Sequence, residues 1–140
     1  MLTQPYEKDA PVIACNFGAI DVAQRTAHMA SADQIFASVI EIKETINGYA
    51  FQLPLNPPML YKTAEFINNE RLCCSFFTFT LVVDQELWLE LSGTNEVKAY
   101  IHDNIVMSVR ETGRLSPVLK EQIQASVAQS VIGVDSIQTE

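Results

Sequence analysis

The chain has 140 residues, 48% of them apolar, enough for one buried core and too few for two ordinary domains. Nine Lys and Arg against 17 Asp and Glu give a net charge of −8, which opposes phosphate backbones and anionic lipid, so neither nucleic acid nor a membrane is expected as a partner. The apolar stretch Leu72 to Val83 falls short of the roughly 20 residues a bilayer requires, and Met1-Leu2-Thr3-Gln4-Pro5 lacks the layout of a signal peptide, so a cytoplasmic protein is expected.

Residues 1–11 are polar, carry Pro5 and Pro11 and show no period, and they read as a flexible arm. Residues 12–132 read as a single α+β domain, and 133–140 as a frayed tail. From Asp21 to about Ser38 good helix formers follow a cap candidate at Asp21, while the S-x-x-Q box from Ser31 to Gln34 permits a restart, so one helix and two both fit. Ile40 to Ile46 and Tyr49 to Leu53 then alternate with period two. Asn47-Gly48 between them predicts a type I′ hairpin turn, because both residues tolerate positive φ.

Pro54 ends that strand, and Asn56-Pro57-Pro58 opens a helix with Asn56 as cap and Pro57 in the first turn. The helix is predicted to reach about Cys74, with Leu60, Ala64, Ile67 and Met59, Thr63, Phe66 as its inward stripe. Two more strands follow, Phe76 to Val83 and Glu86 to Leu91, joined at Asp84-Gln85, with Leu87, Leu89 and Leu91 on one face and Trp88 and Glu90 on the other. Ser92-Gly93-Thr94 then caps a helix whose stripe is Val97, Ile101, Ile105 and Val109.

Hairpin and helix thus occur twice, Ile40 to Cys74 and Phe76 to Val109, with Gly48 to Leu53 set against Gln85 to Glu90. The expected fold is α+β: an antiparallel sheet built from two β-hairpin-helix (ββα) units with helices on one face, an N-terminal helix and an appended C-terminal helix. The last begins at Ser116-Pro117 and carries Leu119, Ile123, Val127 and Val131. It can pack on its own domain or on a second subunit, which would make a homodimer.

The chemistry rests on thiols. The three cysteines are odd in number, with Cys73 and Cys74 adjacent, unlike a secreted disulfide framework; in a reducing compartment they are thiols or ligands. Glu70 lies on or beside the apolar stripe one turn earlier and calls for a partner, either Arg25 or a metal, since adjacent Arg71 points about a quarter-turn away. At a helix carboxyl end the dipole disfavours a bare thiolate, which leaves neutral buried thiols or thiolates offset by a cation. On a helix neighbouring side chains diverge by about 100°, so both sulfurs reach one centre only where the helix unwinds. His28 and His102 read as isolated, and no phosphate loop, G-x-S-x-G elbow or H-E-x-x-H is present in the sequence.

The segments Ile13-Ala14-Cys15-Asn16-Phe17, Asp21 and Arg25, Gly48-Tyr49-Ala50-Phe51, Glu70-Arg71-Leu72-Cys73-Cys74-Ser75-Phe76-Phe77, Leu87-Trp88-Leu89 and Ser92-Gly93 together resemble a family of small uncharacterised bacterial proteins. That family has an I-A-C-x-L start and an E-R-x-C-C-P-F centre, sometimes beside or fused to MerR-type, mercury-resistance-like regulators. The likeness spans about Val12 to Ile105. It implies Cys15, Cys73 and Cys74 as site residues, with Glu70 and Arg25 in support, and no established activity. Ser75 stands where that pattern has Pro, and Phe17 where it has Leu.

The reading that follows is a metal- or metalloid-binding protein, a sensor or sequestering accessory, with Cys15, Cys73, Cys74 and Glu70 as ligands and Arg25 and Arg71 in support. Its expected cofactor is Zn²⁺ or another soft metal. The alternative is a structural or interaction domain with buried, unliganded cysteines. A thiol-dependent enzyme ranks third, because it needs a depressed thiol pKa that the helix-end placement opposes.

Overall fold

Period-two alternation becomes four antiparallel strands in the computed structural model, which describes residues 16–113. Strand β1 (Glu41–Glu44) pairs with β2 (Gly48–Leu53), and β3 (Thr78–Val83) with β4 (Leu87–Ser92); β2 and β4 lie side by side at the centre, giving the order β1-β2-β4-β3. Helix α1 (Val22–Ala37) precedes the first hairpin, α2 (Pro57–Cys73) follows it, and α3 (Asn95–Ile101) follows the second. The chain folds as α+β, with two hairpin-helix units behind an N-terminal helix. Cys15, the expected arm over residues 1–11, and the expected C-terminal helix, homodimer contact and tail all fall outside the described residues.

One sheet face is the core. Tyr49, Phe51 and Leu53 of β2 stand opposite Leu91, Leu89 and Leu87 of β4, and all are buried. Ile35 and Phe36 of α1, Phe66 of α2 and Val97 and Ile101 of α3 belong to the same buried cluster. Gln52, Trp88 and Glu90 occupy the other face, partly open to solvent. The alternation read from the sequence therefore sorts the strands correctly into inner and outer sides.

The first turn differs from its prediction. Thr45 donates to the Gly48 carbonyl at 2.8 Å, so the loop is Ile46-Asn47, one residue earlier, and Gly113 is the one described residue with positive φ. Gly48 serves another purpose: a Cβ there would stand 1.9 Å from the Leu91 carbonyl oxygen, so this position admits β4 only when it has no side chain. The same one-residue offset affects the repeat. Tyr49, Phe51 and Leu53 correspond to Leu87, Leu89 and Leu91 at the interval that relates cap Asn56 to cap Thr94; setting Gly48 against Gln85 would match the buried Phe51 to the outward Trp88.

Helix α1 is continuous through Ser31, so the S-x-x-Q box starts no second helix. In α2 the buried positions are Thr63, Phe66 and Cys73, with Met59 and Ile67 packed against the core, whereas Ala64 is exposed. The stripe Val97, Ile101, Ile105 and Val109 is buried throughout, but strict four-residue spacing drifts by about 40° per step on a helix of about 3.6 residues per turn. The chain absorbs the drift in a wider, π-helical stretch, His102–Val106, before α4 (Met107–Thr112) resumes. No described helix is long and apolar enough to cross a membrane.

Candidate metal centre

Asn56 caps α2 through its side-chain oxygen, which accepts from the Met59 N–H at 2.9 Å, and Pro57 sits in the first turn. From this start the helix brings Thr63, Phe66, Glu70 and Cys73 onto one side. Cys73 is the last helical residue. At Cys74 the backbone leaves the helix (φ −119°, ψ 73°), although its N–H still donates to the Glu70 carbonyl at 2.6 Å. That departure is the unwinding the sequence required: it swings the second side chain beside the first, and the two Sγ atoms lie 3.6 Å apart.

Both cysteines are 2% exposed. A carboxylate oxygen of Glu70 and the two sulfurs all lie within 4.8 Å of one another, a donor group of a size to hold one metal ion. Its position favours a cation, because the partial negative charge of the helix carboxyl end and the Glu70 carboxylate both act there. Beyond the pair the chain enters Phe76 and Phe77, whose rings are 4.6 Å apart, and both cysteines share the buried cluster with them.

Glu70 has a partner that sequence reasoning missed. Buried His28, on α1, lies with Nε2 2.7 Å from Glu70 Oε1. An ionised carboxylate only accepts, so the imidazole donates. The His28 ring stacks on Phe66 with centroids 5.4 Å apart, which fixes its plane. Two segments 42 residues apart in sequence supply this pair, and no local motif joins them. The available signal was period: His28 falls on the same face as Ala32, Ile35 and Phe36, the core stripe of its helix.

Arg25, expected in support of Glu70, holds a loop. Its Nε donates to the Ile20 carbonyl at 2.9 Å and its Nη2 to the Gly18 carbonyl at 3.0 Å, bracing the 3₁₀ turn Phe17–Ala19. Arg71 is exposed and donates to Asn68 Oδ1 at 3.0 Å. The N–H of Asn16, at the start of the braced turn, donates to the Cys73 carbonyl at 2.7 Å.

Compared with known proteins, the chain matches no family model, no curated protein and no solved structure.

Proposed function

We propose that the protein binds a soft metal or metalloid ion through the Cys73 and Cys74 thiolates, with Cys15 as third sulfur ligand and Glu70 completing the set. The observation that carries this reading is the approach of a Glu70 oxygen and two sulfurs to within 4.8 Å at the carboxyl end of α2. For a tetrahedral ion with metal–sulfur bonds of about 2.3 Å, two sulfurs stand roughly 3.8 Å apart. The 3.6 Å separation is close to that span.

Cys15 enters this reading from the sequence, where the resemblance implies it as a site residue with Cys73 and Cys74. A sensor or a sequestering accessory is the role we propose for such a site, in keeping with the sequence resemblance to proteins sometimes beside or fused to MerR-type regulators. Reduced wild-type protein and a C15A/C73A/C74A variant, titrated with Zn²⁺, Hg²⁺ and arsenite and followed by free-thiol count and thiolate-to-metal absorbance, test this. Uptake by wild type alone is expected; equal uptake by both ends the proposal.

A second reading is favoured by burial: at 2% exposure in the core cluster, Cys73 and Cys74 also serve as small hydrophobes. Under it, C73A and C74A lower stability and metal changes nothing.

A further inference from the structure

Resting on that proposed function, we infer that His28 and Glu70 make the site selective for a tetrahedral divalent ion of the Zn²⁺ or Cd²⁺ type over ions that take sulfur alone. The argument begins with the sulfur pair. A linear S–metal–S arrangement with bonds of about 2.3 Å needs sulfurs roughly 4.6 Å apart. At 3.6 Å the vicinal pair is too close for that geometry and suits two corners of a tetrahedron.

The third atom of the group is an oxygen, a ligand that a borderline ion such as Zn²⁺ accepts and that softer, sulfur-only centres reject. This oxygen is not offered by a loose surface carboxylate. Glu70 is 17% exposed and is gripped by the His28 donor at 2.7 Å, and the imidazole is itself 3% exposed and stacked on Phe66. One carboxylate oxygen is thus engaged by His28, which restrains the rotamer of a carboxyl group that already lies beside the sulfurs. His28 acts as a positioning residue: it touches the carboxylate, and the carboxylate touches the ion.

Glu70 faces solvent more than either cysteine does, so the carboxylate is the accessible member of the group. Trivalent arsenic is satisfied by thiolates and draws no ligand from it.

The test uses the full chain, reduced, as wild type, His28→Phe, His28→Gln and Glu70→Gln. Phe keeps the stacking on Phe66 and removes the donor; Gln restores a donor near the position of Nε2. Zn²⁺ affinity is measured by competition with a chromophoric chelator, arsenite affinity by thiol protection, and coordination geometry by the visible spectrum of the Co²⁺-loaded protein. Expected are a loss of Zn²⁺ affinity of about 10- to 100-fold in His28→Phe and Glu70→Gln, recovery in His28→Gln, an altered Co²⁺ spectrum in Glu70→Gln, and unchanged arsenite affinity throughout.

Unchanged Zn²⁺ affinity in His28→Phe and Glu70→Gln overturns the inference, as does an equal loss for Zn²⁺ and arsenite. If His28→Phe fails to fold, as judged by its melting transition, Glu70→Gln and the spectrum decide. Wild type that binds neither ion overturns the underlying proposal, an outcome distinct from loss of selectivity alone.

Discussion

Gly48 and the Leu91 carbonyl oxygen are in such close approach that a Cβ on Gly48 would stand 1.9 Å from that oxygen. Because the obstacle is backbone in a central strand pair, no rotamer change relieves it. Gly48→Ala should therefore part β2 from β4 locally and cost at least about 2 kcal/mol, within the range of core overpacking. Urea denaturation measures it; a midpoint within error of wild type would show that the strands accommodate a side chain.

The two equivalent caps offer an internal comparison. Asn56 accepts from Met59 N–H at 2.9 Å, whereas Thr94 accepts from Val97 N–H at a longer 3.3 Å. Asn56→Ala should cost about 1 kcal/mol and Thr94→Ala less, on the scale of exposed caps. Equal losses would mean that α3 depends on its cap as strongly as the longer α2 does.

Much of this fold was legible because its signals are local. Alternation in β2 and β4, the Asn56-Pro57 opening and the four-residue stripe from Val97 to Val109 each need only a short window, and each is realised. The Asn-Gly turn misled because glycine has two uses: the pair was read as a request for positive φ, and the structure uses Gly48 for strand contact instead. At the site, Glu70 and the cysteine pair were legible from α2 alone. The His28 contact was not, since it depends on how α1 packs across α2, and α1 carries no charge pattern that points to Glu70.

Lys98 ties the tip of the first hairpin to α3. Its ammonium donates to the Thr45 carbonyl at 2.8 Å and the Ile46 carbonyl at 3.1 Å, and pairs with Glu44 at 2.8 Å. The hydrogen bond from Lys98, and then its charge, hold the Glu44 carboxyl below its ordinary value of 4.5. A depressed folded-state pKa gives a stabilisation present above the unfolded value and lost as pH falls through the folded one. The effect is small, since Glu44 is 64% exposed. In Lys98→Met the Glu44 titration, followed by side-chain carboxyl NMR, should move up to the ordinary range; an unmoved curve would assign the depression to another group.

Arg25 offers the sharpest link between fold and site. Its donations to the Ile20 and Gly18 carbonyls brace the turn that begins beside Asn16, and the Asn16 N–H donates to the Cys73 carbonyl. Arg25→Met leaves two carbonyl acceptors without that charged donor, a loss of about 1.5–3 kcal/mol each where the groups stay dry and less where water replaces it. The local consequence is a looser turn at Asn16, whose N–H reaches the Cys73 carbonyl. If Cys15 is the third sulfur, Arg25→Met should weaken Zn²⁺ binding in wild type and have almost no further effect in a Cys15→Ala background, because the ligand it positions is already gone. The coupling in this double-mutant cycle is the readout. Equal losses in both backgrounds would place the influence of Arg25 elsewhere, on α1 and hence on His28, and would leave Cys73, Cys74 and Glu70 as the whole of the binding group.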